Sequence, residues 1–572
     1  MTWPPTTHQD VQTELQTRRD ALTVVTATGA DQTTQINTAL SATPVFGTRR
    51  KVQLIGNFTI SAPLVVASRT LLDATQATIT LAAGSNCNML QNTAVTTVRR
   101  VLDAAMTSGS ATLTSATAAF VAGDVGKPVT VQGAGASGVP LTTTISAVTN
   151  GTTATLAATA GTTVTGQYAA IGARDSDITI VGGLWDRGAN NSSPANSYNA
   201  HNLRFRHVDG LVVLRGHHAC TSGKYAINPG DCTMVRVEGA TLLGSQYASD
   251  GVHINGPASQ VIVRDIAAGT MFDDLVSFTA RDSTAVITDC AGDITDVLVD
   301  GASFTVAATG GFSSALKLVA GKTTDGSTDY AIRRLVARNL TSPNTTASVV
   351  FCGDPSGGTF DDITLEGVRS LGGASNQGCV LLHGGTIGRL TVRDARPSPG
   401  DWFAVSVDTT VDRLTVEDAQ WNATIGDIPF IVFVTGTVTR LVESGCHLSG
   451  NNGTLLRVDN GGTVTQALLR DNTLQGDACA VWVPDAGANP VGVLSSVSIS
   501  GLATIGATLP LGVYGSVTTL SLSDINSTGT SANWLSVTGV GAVTVKGASG
   551  LSGSATTYSG AVTKSLSNAF TA

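Results

Sequence analysis

From about residue 210 onward, an alternating apolar run recurs, closed each time by a polar residue or a glycine. The copies read LVVLRG, TMVRVEG, QVIVRDI, DVLVDGA, RRLVARN, DDITLEG, RLTVRD, RLTVED, RLVESG, QALLRDN, SVSISG, TLSLSD and AVTVKG. Period-two alternation marks a strand with one buried face. One apolar residue represents each copy: Val212, Met234, Val261, Val297, Leu335, Ile363, Leu390, Leu414, Leu441, Leu468, Val497, Leu520 and Val543. Their mean spacing is about 28 residues, in the range of repeats built from one supersecondary unit. The intervening stretches hold Gly, Ser, Thr and Asp without a 3.6-residue period, so the helical half of a leucine-rich repeat is missing. The pattern predicts a β-solenoid, a rod of roughly 60 Å if the coils stack about 4.8 Å apart. The two longest gaps fall between residues 270 and 330 and predict projecting loops there.

Upstream, VQLIGNFTI, PLVVASRTLL and ATITLAAG have the same character, and DITIVGG resumes it. Residues 46–98 are therefore the first coils, 172–549 the main solenoid and 550–572 a tail. Residues 99–171, rich in Thr, Ala and Gly, carry their own strand pattern (KPVTV, TTTISAV, TATLAAT) and are expected to form a small inserted β-module. Gly133, Gly135 and Gly138 there match G-x-G-x-x-G, but no helix follows, so they are turn residues rather than a dinucleotide site. Residues 1–45 contain an amphipathic segment, TELQTRRDAL, and a short helix expected over Thr34–Leu40. Asp31 or Thr33 would cap that helix, which would cover the open end of the solenoid.

Composition agrees with this reading. Charged residues are 13%, about half the usual share, while Gly stands at 64 of 572. A hydrophobic fraction of 42% with little charge excludes disorder. A net charge of −8 gives no basic footprint for nucleic acid. No apolar run is long enough to insert in a membrane, and the N-terminal residues lack the apolar stretch of a signal peptide. The eight cysteines form no CxxC and are expected to be reduced core residues. No cofactor is implied.

GADQTTQINTAL followed by VQLIGNFTISAPLVV resembles the opening of the pectate-lyase-like superfamily. That resemblance implies an all-β, right-handed parallel β-helix with an N-terminal capping helix. Bacteriophage tail proteins often share the architecture, and FVAGDVGKPVTVQGAGASGVPLTTTI resembles a module found in them. A narrower resemblance is to the polygalacturonase family of inverting glycoside hydrolases. On that pattern SDGVHI places Asp250 at the first catalytic carboxylate, FDDLVSF places Asp273 and Asp274 at the paired carboxylates, and SALKLVAG places Lys317 at the basic position. Ala315 replaces the family's Arg, and the Gly-His-Gly is missing, with no histidine between Asp274 and Lys317.

The residues carry their own argument. Asp250 and Asp273 are about one coil apart and should stack on adjacent turns. Carboxylates that close repel, which separates an acid from a base, as glycoside hydrolysis needs. Inversion wants the two roughly 6.5 to 9.5 Å apart, leaving room for water. Lys317 would take a sugar acid's carboxylate. Five of the eight histidines, His201, His207, His217, His218 and His253, cluster before and beside Asp250. His253, His217 and His218 are candidate substrate contacts. So is Trp185, whose ring face would pack on a sugar, and Trp402, Trp421 and Trp482 are weighed the same way. The plainer readings are Asp as a turn residue, His as a surface residue and Trp packed under a loop. A calcium or zinc site from Asp250, His253, Asp273 and Asp274 is weighed and not adopted.

Three functions follow as expectations. The first is a phage tail spike, fibre or minor tail protein, carried on the virion and released by lysis. It would bind host cell-surface polysaccharide, with depolymerisation of that glycan as a further option. Its partners would be that glycan, other tail proteins and two further copies of itself in a homotrimer. The second is a secreted polygalacturonase-like hydrolase. The third is a non-catalytic structural or adhesive β-helix.

Overall fold

The structure is a computed structural model describing residues 22–43, 49–188, 201–220, 222, 224–245, 249–281, 289–308, 311–323, 325–344, 347–354, 356–373, 377–422, 429–450, 453–476, 479–483, 492–505, 511–514, 517–528, 535–538, 540–549, 557–559 and 563–567. The expected amphipathic segment before Leu22 and most of the 550–572 tail lie outside these residues. The chain divides into two compact units. One comprises Met1–Asp273, Phe278–Ile294 and Thr323–Thr328. The other comprises Asp274–Ser277, Thr295–Lys322 and Asp329–Ala572.

In the first unit, successive strands stack in parallel. Ile178, Leu211, Val235 and Val261 pair in turn on adjacent coils, and all four are buried. The helix spans Thr33–Ser41 and buries Ile36, Ala39 and Leu40. Asp31 starts it: its carboxylate accepts the Thr33 N–H at 3.0 Å and the Thr33 hydroxyl at 2.7 Å. Asn37 locks the helix to the first coil, donating to Pro63 O and accepting from Val65 N–H.

Residues 99–171 leave the coil. The strands Arg99–Met106, Thr112–Thr114, Pro128–Val131, Leu141–Asn150, Thr153–Leu156 and Val164–Ile171 close into a barrel. Its pairings are antiparallel. It has its own core, centred on Leu113, Val131, Ile145 and Ala154. Its first and last strands pair, Arg99 against Ile171, so the barrel starts and finishes at one place. Asp175 pins that place. It accepts from the Asn92 amide, the Ala94 N–H and the Ser68 hydroxyl, all within 2.9 Å. The strand Asp175–Val181 then rejoins beside Thr70–Leu81.

In the second unit, Leu335, Ile363, Leu390, Leu414, Leu441, Ala467, Val497, Leu520 and Val543 pair in one row over nine coils. The members from Leu335 to Leu520 are at most 2% exposed. Parallel pairing continues to Thr563–Ser567, beyond the expected end of the coils at 549. The polar residue or glycine closing each repeat is a corner at positive φ: Asn339, Gly367, Asp394, Asp418, Gly445, Asp471, Gly501 and Asp524. Asn and Asp tolerate that conformation better than other side-chain-bearing residues, and Gly carries no penalty. Stacking adds a steric rule. A Cβ on Gly445 would stand 2.4 Å from Asp418 Oδ1, and one on Gly501 2.2 Å from Asp471 Oδ1. The missing Cβ on one coil makes room for the carboxylate on the coil before it.

The fold is a parallel β-helix. The structure shifts three of the thirteen representative residues by one position. Met234 is 53% exposed at a positive-φ corner, and Val235 is the inward residue. Leu211 and Ala467 are likewise inward where Val212 and Leu468 were marked. Two apolar neighbours leave the face undecided by type alone, and a one-residue slip exchanges the faces. Six of the eight cysteines are buried free thiols. Among the described residues, no helix is long and apolar enough to cross a membrane.

Candidate functional site

In the first unit the strands Leu203–Leu214, Tyr225–Glu238 and Asp250–Met271 lie side by side. Leu203, Ile227 and Val252 point into the coil, and so do Phe205 and Ile254. By alternation, Arg204, Asn228 and His253 share the other face, as do Arg206 and Asn255. These outward polar groups are nonetheless buried. Asp289 is among the groups that cover them. Its carboxylate meets Arg204 at 2.6 Å, Arg206 at 2.9 Å and Arg100, from the barrel, at 3.3 Å. Burial opposes ionisation of Asp289, but the three guanidinium groups outweigh it and hold its carboxyl well below the usual range.

From Arg206 a chain of hydrogen bonds leads to Asp250. Arg206 donates to Asn228 Oδ1 at 2.7 Å, and the Asn228 amide donates to Asn255 Oδ1 at 2.9 Å. The Asn255 amide nitrogen then faces His253 Nε2 at 3.3 Å. This network assigns the proton of His253 to Nδ1, which bonds the Asp250 carboxylate. The imidazole stacks on Tyr225, centroids 4.0 Å apart and 9° from parallel, and Tyr225 stacks on His201 at 5.2 Å. Both ring nitrogens and the ring face of His253 are thus engaged. It fixes Asp250 and is placed to orient it. Carboxylate oxygens of Asp250 and Asp273 lie within 4.8 Å of one another. Asp250 is 5% exposed, whereas Asp273 is half-buried and reaches solvent more readily.

A second buried charge group joins the barrel to the coil in this unit. Asp231 takes the Tyr168 hydroxyl at 2.7 Å, His207 Nδ1 at 2.5 Å and Arg174 at 2.9 Å. Burial again opposes its ionisation, and His207 and Arg174 overcome it, so its pKa is lowered.

In the second unit Asp274 is fully buried. It accepts the Ser314 N–H at 3.0 Å and pairs with Lys317 at 3.1 Å. The Lys317 ammonium, expected to meet a sugar acid, therefore already holds a carboxylate.

The other expected contacts separate by face. Trp185 is fully buried and donates its indole N–H to Gly182 O at 3.1 Å, so it belongs to the core and not to a sugar subsite. His217 and His218 are neighbours on one strand, and alternation sends His217 to solvent and His218 inward. Burial pushes the His218 pKa down to about 3 and holds that of His201 well below its usual value. Trp421 is buried, Trp402 is 40% exposed and Trp482 is half-buried. Sequence reasoning missed Asp289, Tyr225, Asn228 and Asn255. The only signal was LRFRH, whose alternation puts Arg204 and Arg206 on one face.

No protein-family model matches the chain, and no curated protein matches it. Solved structures of similar outline include the tailspike of Pseudomonas phage phi297. It is 11% identical, with 83% of this chain and 70% of that chain covered, at a TM-score of 0.34. The tailspike of Acinetobacter baumannii bacteriophage AP22, solved in complex with capsular saccharide, is 9% identical at 0.26, with 93% and 78% covered. The A-module of the Azotobacter vinelandii mannuronan C-5 epimerase AlgE4 is 10% identical at 0.25, with 93% and 96% covered. Similarity at this level assigns no activity to the chain.

Proposed function

We propose that this chain is a bacteriophage tail protein, of spike or fibre type, that binds host cell-surface polysaccharide and cleaves its glycosidic bonds. The observation that carries the catalytic part is the approach of Asp250 and Asp273 within 4.8 Å. Hydrolysis needs one carboxyl group to protonate the leaving oxygen and another to activate water or attack the sugar. In this reading the more accessible Asp273 meets the scissile bond, and Asp250, fixed by His253, is its partner. Asp274, held by Ser314 and Lys317, is left out of the mechanism. The phage part rests on the resemblance of residues 99–171 to modules of tail proteins.

A non-catalytic, adhesive β-helix is the second reading. The burial of Asp250 and its bond to His253 favour it, because a carboxylate so enclosed also serves as a structural anchor.

The test is to incubate the full chain with a panel of purified bacterial cell-surface polysaccharides, measuring bound glycan and new reducing ends. The first reading expects both, and a fall in reducing ends of about 100-fold or more for Asp273→Asn. Equal cleavage by that variant would remove Asp273 from the mechanism. Binding without cleavage selects the adhesive reading. Neither binding nor cleavage ends both.

A further inference from the structure

One outward row of the second unit differs from the rest of its surface. Lys317, Phe351, Leu381, Ser406, Phe433, Arg457 and Trp482 pair in order on seven successive coils. The residues on either side of Phe433, Arg457 and Trp482 are fully buried valines and leucines, so these three point away from the core. Aromatics make up only 5% of the chain, yet this row and its margin gather Phe312, Phe351, Phe430, Phe433 and Trp482. The Arg457 guanidinium lies 4.8 Å from the Phe430 ring, 5.9 Å from Phe433 and 5.4 Å from Trp482. Phe430 and Phe433 stack at 5.3 Å. Toward the other end, Phe312 is 44% exposed and meets Phe351 edge-on at 6.0 Å.

We propose that this row is a binding strip for a linear, uncharged polysaccharide, lying along the coils. The inference rests on the glycan-binding reading above and names the class of glycan. Three features carry it. Aromatic faces accept the apolar faces of sugar rings. Phe433 and Trp482 are two coils, or about 10 Å, apart, close to the length of an extended disaccharide. Finally, both cations on the row already hold carboxylates: Lys317 pairs with Asp274 at 3.1 Å and Arg457 with Asp459 at 2.5 Å. Paired in this way they present fixed donors and acceptors for vicinal hydroxyls, without the uncompensated positive charge that would select a uronate. A chain of net charge −8 adds no long-range attraction for a polyanion.

The experiment titrates the full chain with cellohexaose and mannohexaose as neutral probes and with hexagalacturonate as the acidic one. Calorimetry and tryptophan fluorescence are the readouts. At least one neutral hexasaccharide is expected to bind. Phe433→Ala and Trp482→Ala should each weaken it about tenfold or more, and Leu371→Ala, at an exposed residue outside the row, should leave it unchanged. Circular dichroism melts establish that each variant is folded. Three results overturn the strip: no neutral probe binds, the row variants bind as tightly as the parent, or hexagalacturonate binds more tightly than both neutral probes. The glycan-binding reading is judged separately, on the polysaccharide panel. Retention of polysaccharide by the parent and by Trp482→Ala alike removes the strip and leaves that reading standing.

Discussion

The Tyr168 hydroxyl donates to the Asp231 carboxylate at 2.7 Å, tying the last strand of the inserted barrel to a coil of the solenoid. Both residues are buried, and Tyr168 also packs with Ala94, Val98 and Cys290. Tyr168→Phe keeps that packing and removes one donor, while Arg174 and His207 still hold the carboxylate. The expected cost is about 1.5–3 kcal/mol, the range for a hydrogen bond to a charged group. Hydrogen exchange should show it as faster opening around the barrel's seat. Unchanged protection there and an unchanged melting temperature would show that the bond contributes nothing.

Glu443 sits in an inward row between Val416 and Leu469 and is fully buried. Burial pushes its pKa up from the ordinary value of 4.5 to about 8. Between those two values the folded chain keeps a proton that the unfolded chain has lost. Stability must therefore fall as pH rises across that window, by roughly 1.4 kcal/mol per pH unit, and level off outside it. Denaturation midpoints from pH 5 to 9 should decline for the parent relative to Glu443→Leu. Parallel curves for the two would refute this.

The corner rule makes a paired prediction. Gly445→Ala puts a methyl group against Asp418 and imposes positive φ on a residue with a Cβ, costing about 1–3 kcal/mol. Asp418→Gly in the same chain removes the obstructing carboxylate. The double variant should thus be less destabilised than the sum of the single ones, and simple additivity would show that the two corners do not interact.

We expect the chain to assemble as a homotrimer. Parallel rods gain by lateral association, and cyclic symmetry closes such an assembly without open-ended fibres. The number three comes from the resemblance to phage tail proteins. Light scattering should give three times the 58.0 kDa chain mass, and a value equal to the chain mass rules the trimer out.

The strand ladder was legible because its two determinants are local: an alternating run and a corner residue fit for positive φ. Leu335, Ile363, Leu390, Leu414 and Leu441 could be aligned by eye and do stack. Met234 misled because it stands beside Val235, and a sequence names no face when both neighbours are apolar. The same ambiguity concealed that Trp185 and His218 point inward. Asp289 was out of reach for another reason: it meets Arg204 across 85 residues, and nothing local announces a carboxylate that neutralises three arginines. The outward row was present in the repeats IVFV, LLRV and AVWV, where Phe433, Arg457 and Trp482 hold the same place.

The way residues 99–171 leave and return has a bearing on how such a chain diversifies. Arg99 and Ile171 are partners, and Asp175 ties the departing and returning segments together at Asn92 and Ala94. The solenoid therefore meets the excursion at its two ends and at barrel side chains close to them, Arg100 on Asp289 and Tyr168 on Asp231. A lineage could trade that passenger for a domain with neighbouring termini that also satisfies Asp231 and Asp289, and the coils on either side would keep their register. The position is a socket, where new recognition surfaces can be acquired without renegotiating the rest of the fold.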